Sequence, residues 1–370
     1  MQKIIVSVIN DLATDQRVHK VCTTLTNMNY DVTLIGRKLP SSLPLKRNYK
    51  TIRMKLVFKK KFLFYVEYSI RLFFKLLFLK KDVLLSNDLD TLLPNYLISK
   101  LFSKQLVYDS HELFTEIPEL IDRPRIQKVW LSIEKYIFPK LKNVYTVNDT
   151  IASFYKNKYK VDVKVIRNIA PKLTDKTIDL AFADKVKGNQ KMLILQGTGI
   201  NMDRGAEEAI KMMQYLDGVI LYIIGGGDIF AELKALVFNL KLEKKVIIKS
   251  KMSYTELIEY TKRADLGLSL DKATNLNYEF SLPNKVFDYI QAQTPLLVSN
   301  RKEVAKLVTE NKIGLVIDHF EPEKMADTVN KMFSDKIQYQ FWKENLVIAS
   351  EKYNWETESE KLKAVFEKIS

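Results

Sequence analysis

The chain has 370 residues, 46% hydrophobic and 28% charged, with a formal net charge of +15; that length exceeds what one hydrophobic core usually supports, so two domains are the natural count. A single cysteine, Cys22, excludes an internal disulfide and fits a reducing compartment. With only His19, His111 and His319, and no paired cysteine motif, a structural zinc site is not expected.

The amino terminus opens directly into a predicted strand at 4–9, not into a basic and apolar leader, so export by signal peptide is not expected. Further strands are predicted at 32–35, 83–85, 106–108, 144–147 and 163–166, separated mostly by helical patterns such as 17–28 and 91–102. Cys22 falls in the apolar stripe of the first helix and reads as a small buried hydrophobe. Short buried strands alternating with helices imply a parallel sheet covered on both faces. The residues after these strands are polar: Asn10-Asp11, Gly36-Arg37, Asn87-Asp88, Asp109-Ser110-His111-Glu112, Asn148-Asp149 and Asn168. Some of that polarity is ordinary loop and cap chemistry, but ligands of open α/β sheets sit outside these carboxyl ends.

Charge is uneven. Residues 1–170 hold 30 Lys and Arg against 15 Asp and Glu, so the whole excess lies there and the remainder is neutral. From Arg37 to Val66 there are ten cations and no acid, which makes either a surface for an anionic partner or a solvated loop. Residues 62–79 then interleave aromatics with Glu67, Arg71 and Lys75, one narrow polar stripe at i, i+4 and i+8, and Lys80-Lys81 closes the run. Three charges make this a poor transmembrane span. It fits an interfacial helix on an anionic membrane surface, or a crossover helix buried against the sheet, and the two can hold for different faces. The Phe and Leu residues run as a continuous block and no RNP-like, KH-like or zinc-finger pattern is present, so nucleic acid is not expected as a partner.

Residues 171–190 lack a strong period and read as a linker. The strand and helix rhythm then resumes. Residues 192–196 end in Gln196-Gly197-Thr198-Gly199 and 219–224 end in Gly225-Gly226-Gly227; strands follow at 246–248, 266–270, 296–298 and 314–317, with helices such as 206–216 and 254–263 between them. In 281–295, Ser281 suits a helix cap and Pro283 a first turn, so that Lys285 and Asp288 project near an amino-terminal helix end. A cation for diphosphate and a carboxylate for ribose hydroxyls suit a nucleotide; a capped surface helix with an i, i+3 ion pair is the bland alternative.

Taken in order, Asn10-Asp11 with Asp15-Gln16-Arg17-Val18, Asp109-Ser110-His111-Glu112, the Gln196-Gly197 to Arg204-Gly205 loop, Gly225-Gly226-Gly227 and Leu282-Pro283-Asn284-Lys285 with Asp288 and Pro295 resemble the family 4 retaining glycosyltransferases of GT-B fold, in particular bacterial members that build surface polysaccharides. The likeness spans essentially the whole chain. It implies an α/β protein of two Rossmann-like, doubly wound parallel-sheet domains facing across a cleft: 1–170 for the acceptor, 171–190 as linker, 191–350 for the nucleotide sugar, and 351–370 as a carboxy-terminal helix crossing back to the first domain. It also implies a nucleoside-diphosphate-sugar as co-substrate, a glycan or polyprenyl-diphosphate-linked acceptor, and catalysis with no cofactor and no essential metal. With the basic aromatic stretch, the expected location is cytoplasmic, peripheral on the inner face of the cell membrane.

Residue by residue, the resemblance makes Arg204 the basic residue of the diphosphate loop and Lys285 a second diphosphate contact, while the loop's usual first basic residue is Thr198 here. Gly197, Gly225, Gly226 and Asn284 join them as donor-binding positions. The family usually shows two glutamates seven residues apart. Asp288 takes the place of the second, at the ribose, but Phe280 stands eight residues before it, which leaves the neighbouring Glu279 as the expected donor-sugar contact. His111 matches the first-domain histidine that looks towards the donor sugar, where it would bond a sugar hydroxyl, steady developing positive charge through its carbonyl, or serve structure alone. Asp15, Arg17, Asp109 and Glu112 are the expected acceptor or phosphate contacts. Two other readings stay open: a sugar-nucleotide 2-epimerase of the same fold, and a non-catalytic module binding an anionic polymer or nucleic acid.

Overall fold

A computed structural model describes residues 1–58, 61–175 and 179–369. It divides into two compact units, the first made of Met1–Asn168, Asn275–Asn277 and Glu358–Ser370, the second of Ile169–Thr274 and Tyr278–Thr357.

The first unit is built on β1 (Lys3–Asp11), β2 (Asp31–Arg37), β3 (Lys50–Met54), β4 (Val83–Asn87), β5 (Gln105–Ser110), β6 (Asn143–Thr146) and β7 (Val163–Val165), in the order β3-β2-β1-β4-β5-β6-β7 with every neighbouring pair parallel. Ile4, Ile5 and Val6 are consecutive and all buried, as a central strand covered on both faces requires. After β1 comes α1 (Gln16–Asn27), whose cap, Asp15, accepts from the Val18 N–H. Cys22 lies buried on it.

The strand β3 is absent from the sequence reading. It lies inside the basic stretch and pairs Arg53 with Gly36 of β2. Its Lys50 and Arg53 break the apolar run, and only Met54 is buried, so the strand gave no periodic signal. Cations along such an edge also discourage pairing with a second chain. Lys59 and Lys60 lie outside the described residues.

The aromatic block forms α2 (Lys61–Phe78), followed after β4 by α3 (Leu89–Leu101). One face of α2 is buried, as the crossover reading expects, and another is exposed. Phe64, Tyr68, Leu72 and Leu76, four residues apart, are buried, whereas Leu63, Ile70, Phe74 and Phe78 are exposed, Phe78 to 81%. Arg71 pairs with Glu67 at 2.8 Å. Among the described residues no helix is long and apolar enough to cross a membrane.

The second unit carries β8 (Lys191–Gly197), β9 (Val219–Gly225), β10 (Val246–Ser250), β11 (Leu266–Ser269), β12 (Leu296–Ser299) and β13 (Gly314–Ile317), in the order β10-β9-β8-β11-β12-β13, again all parallel. Alternation along β8 splits its apolar residues between two cores, Leu193 and Leu195 on one face and Met192 and Ile194 on the other. Each fully buried Leu or Ile contributes about 1.5–3 kcal/mol, which is why these strands hold their register.

Residues 171–190, expected as linker, group with this unit and carry a helix, Leu180–Lys187. Phe182 packs edge-to-face on Tyr260 at 5.0 Å and Val186 is buried in the same core. Two apolar anchors four residues apart suffice to dock one helical face, but the surrounding charges hid them. Residues 176–178 of that stretch lie outside the described residues.

Candidate active site

Each sheet reverses its strand order once, between β1 and β4 in the first unit and between β8 and β11 in the second. Carboxyl ends at such a reversal form the natural ligand crevice of an open α/β sheet. Both units place a charged cluster there.

In the second unit the cluster centres on Asp271, just past β11. Arg204 lies 3.0 Å from its Oδ1 and Lys285 3.4 Å from its Oδ2. Backbone geometry fixes Arg204: Gly205 has φ +81 and sits so close to Leu270 that a Cβ would come within 2.4 Å of it, while Lys272 N–H donates to the Asp203 carbonyl at 2.8 Å. The guanidinium stacks 4.0 Å over the Tyr278 ring, and its Nε, buried, has no partner. Burial disfavours the Asp271 carboxylate, but Lys285 and Arg204 outweigh that and hold its pKa below the usual range. For Lys285 the balance falls the other way: burial dominates the attraction of Asp271 and lowers its pKa.

Lys285 stands in the first turn of the helix Asn284–Gln291. Its cap is not the expected Ser281, whose hydroxyl donates instead to the Tyr278 carbonyl at 2.9 Å. Pro283 occupies the cap position without a side-chain bond, and Asn284 is exposed. One turn on, Asp288 is 9% exposed and already holds two donors, Gln196 Nε2 at 2.9 Å and Tyr254 Oη at 3.0 Å. Gln196 is in turn fixed by the Thr261 hydroxyl at 2.7 Å.

The glycine loops meet backbone on backbone. Gly225 has φ +151, and a Cβ there would lie 1.7 Å from the Gly197 carbonyl oxygen. Gly226 N–H donates to that same oxygen at 3.2 Å. Gly197, Gly225 and Gly226 thus shape the end of β8, leaving Thr198 exposed. Glu279 pairs with Arg301 at 2.8 Å and is not part of the Asp271 cluster's bonding.

In the first unit Arg17 is buried and grips Asp109 with two bonds, Nε to Oδ2 at 3.0 Å and an η nitrogen to Oδ1 at 2.6 Å. Both ring nitrogens of His111 are engaged as well, with Asp88 at 2.9 Å and Asp109 at 3.0 Å. Burial opposes the imidazolium, yet the two carboxylates together raise its pKa well above the usual histidine range; Asp109, despite its own burial, is drawn down to about 2 by Arg17 and His111. The ring therefore has no nitrogen left for a sugar hydroxyl, and Arg17 is committed to Asp109. Asp15 serves as the α1 cap and accepts from Asn10 Nδ2 at 2.8 Å. Glu112 accepts from Asn277 Nδ2, in the same unit, at 2.9 Å, and burial with the nearby Asp88 raises its pKa.

Asp88, Asp271, Gln196 and Tyr254 were not among the expected site residues. Asp88 and Asp271 follow strands directly, a signal the sequence did offer. Both units also hold a strained aspartate: Asp88 at φ 58, gripping the His111 N–H at 2.8 Å, and Asp203 at φ 65, beside Arg204. Non-glycine residues in that region cost about 1–3 kcal/mol and gather at functional sites. Among the described residues no group of three or more His, Cys, Asp or Glu is placed to hold a metal ion.

This fold belongs to a known class. Sucrose-phosphate synthase from Thermosynechococcus elongatus matches over 100% of this chain and 99% of its own, with TM-score 0.81 at 14% identity. HepE of Anabaena, in a structure with UDP-glucose, covers 100% of both chains with TM-score 0.76 at 14% identity. WaaG, a glycosyltransferase involved in lipopolysaccharide biosynthesis, covers 97% of this chain and 98% of its own with TM-score 0.67 at 13% identity. What the chain shares with these structures is the GT-B fold. More particularly, residues 178–346 match the family described as glycosyl transferases group 1. No curated protein matches the sequence.

Proposed function

We propose that the protein transfers a sugar from a nucleoside-diphosphate-sugar to a glycan or polyprenyl-diphosphate-linked acceptor, with retention at the anomeric carbon, in the building of a cell-surface polysaccharide. The observation that carries the donor assignment is the convergence of Arg204 and Lys285 on Asp271. Two cations share one carboxylate, so the cluster keeps an uncompensated positive charge in a buried setting where a diphosphate would be held strongly. The amino end of helix Asn284–Gln291 adds N–H groups of the same polarity. As the bond between sugar and diphosphate breaks, negative charge grows on the leaving oxygen, and these groups stabilise it. Asp288, held by Gln196 and Tyr254, offers fixed acceptors to ribose hydroxyls. UDP-glucose in the HepE structure supports a nucleotide-sugar donor.

For the first unit, the bonded ring of His111 leaves its main-chain carbonyl as the group to meet developing positive charge on the sugar. Catalysis proceeds without an essential metal in this reading, because the leaving diphosphate is met by Lys285 and Arg204. The exposed face of α2, with Leu63, Ile70, Phe74 and Phe78, supports a peripheral position on the inner membrane face, where a lipid-linked acceptor is reached. The role of WaaG in lipopolysaccharide biosynthesis favours an envelope polysaccharide as product.

The test is a thermal-shift and calorimetric screen of nucleoside diphosphates and their sugars, followed by NMR of the product's anomeric proton. A ligand specific for the folded state raises the melting temperature according to its concentration over its Kd. If no nucleoside diphosphate binds, the donor assignment falls; an inverted anomer overturns retention.

A further inference from the structure

The amino-terminal ends of β5 and β6, at the opposite end of these strands from His111, border a cavity of about 230 Å³. Lys100, Lys104, Lys140 and Lys142 line it, together with Tyr96 and Asn143. Lys104 pairs with Asp82 at 3.2 Å, but among the described residues Lys100, Lys140 and Lys142 have no carboxylate within ion-pair distance. Like charges lining one cavity repel one another unless an anion screens them. They are also placed by aromatic rings. Lys140 Nζ lies 3.1 Å from the Tyr136 ring centroid and Lys100 Nζ 5.6 Å from that of Tyr96, and the two rings meet edge-to-face at 6.3 Å.

Beside the cavity the surface turns apolar. Leu97 and Leu101, one turn apart on α3, are 46% and 62% exposed, and Phe102 follows at 41% with Lys81 Nζ 4.1 Å over its ring. A soluble phosphate would use the lysines alone and leave these residues in water. A membrane surface uses both, because lysines contact phosphates at the depth where apolar side chains enter the acyl boundary.

We propose that this lysine-lined cavity binds the phosphate of an anionic phospholipid headgroup, with Leu97, Leu101 and Phe102 inserted beside it. The site deepens the membrane reading given above and rests on it for the class of partner. It is distinct from the basic stretch after Arg37 and from the exposed face of α2.

Co-sedimentation with phosphatidylcholine vesicles, with and without phosphatidylglycerol, tests it on the full chain. The triple variant Lys100→Gln, Lys140→Gln, Lys142→Gln should bind phosphatidylglycerol vesicles about tenfold or more weakly than wild type, since each lysine near an anionic surface contributes measurably even after screening. The triple Lys→Arg variant should bind as wild type does, and nucleoside-diphosphate affinity and melting temperature should be unchanged in both. If wild type binds these vesicles and the Gln variant binds equally well, the cavity is not a headgroup site while the membrane reading stands. If wild type ignores anionic vesicles, both are overturned. Calorimetry with inorganic phosphate and glycerol phosphate forms the last arm: binding of either, without binding of vesicles, assigns the cavity to a soluble phosphate and overturns the lipid assignment.

Discussion

Replacing Lys285 with methionine should separate binding from folding. Burial opposes the Lys285 ammonium more than Asp271, 3.4 Å away, favours it, so the lysine pKa lies below its ordinary value. The charged form therefore costs the folded state free energy. Between the lowered pKa and the unfolded value the unfolded chain holds more protons, so stability from this residue rises with pH there. Methionine keeps the volume of the stem, and Asp271 retains Arg204 at 3.0 Å, so no buried carboxylate is orphaned. Stability should stay within about 1 kcal/mol of wild type or increase. Affinity for a nucleoside diphosphate should fall by one charge-assisted contact, about 1.5–3 kcal/mol, or roughly tenfold to 150-fold. Urea unfolding and calorimetry with UDP and GDP measure the two quantities. A loss of more than about 3 kcal/mol of stability, or an unchanged affinity for whichever diphosphate binds, would refute the reasoning.

Asp288→Asn places an amide where Gln196 and Tyr254 both donate, so it should cost about 1–3 kcal/mol of stability and erase any preference for a ribose over a dideoxyribose diphosphate. Equal preference in variant and wild type, by calorimetry, would exclude a ribose contact. Asp109, with its pKa drawn down from 3.8 to about 2, contributes about 2 kcal/mol that is present above pH 4 and lost as the pH falls towards 2. His111 has the opposite sign: its contribution is complete below its unfolded pKa, about 6.5, and declines as pH rises through the raised folded value. Urea melts across pH should show both limbs, and an alkaline limb unchanged in His111→Gln contradicts the assignment. Gly225→Ala should lose more than about 2 kcal/mol because its new methyl meets the Gly197 carbonyl, whereas Gly199→Ala, with nothing within 4 Å of its Cβ position, should melt as wild type does. Transfer activity should persist in excess chelator; loss restored by magnesium or manganese would contradict the two-cation mechanism.

Strands with both faces covered were legible because their apolar runs have no alternation, as in Ile4 to Val6, and polar residues mark where they stop. The edge strand Lys50–Met54 was not, since an edge needs few buried residues and tolerates charge. The candidate site shows the same division. Lys285, Arg204 and Asp288 stand out from their local context. Asp271, which joins two of them, follows its strand as any loop aspartate would, and only the fold reveals that Arg204 and Lys285 arrive from distant segments to meet it. For Ser281 the local signal pointed elsewhere: a good capping residue two positions too early bonds the preceding turn instead.

The first unit is assembled from three separate stretches of chain, and this shapes how it can be made. Residues 358–370 belong to it, with Phe366 fully buried and its ring set edge-to-face against Tyr30 at 6.0 Å while Tyr30 Oη donates to the Phe366 carbonyl at 3.3 Å. During synthesis that segment leaves the ribosome after the whole of the second unit. Residues 1–168 must therefore wait with the pocket under Tyr30 unfilled, exposing apolar surface that a chaperone or a neighbouring nascent chain can find. A strand-helix module that begins first is finished last, and shortening the chain from its far end should damage the part of the protein that was translated at the start.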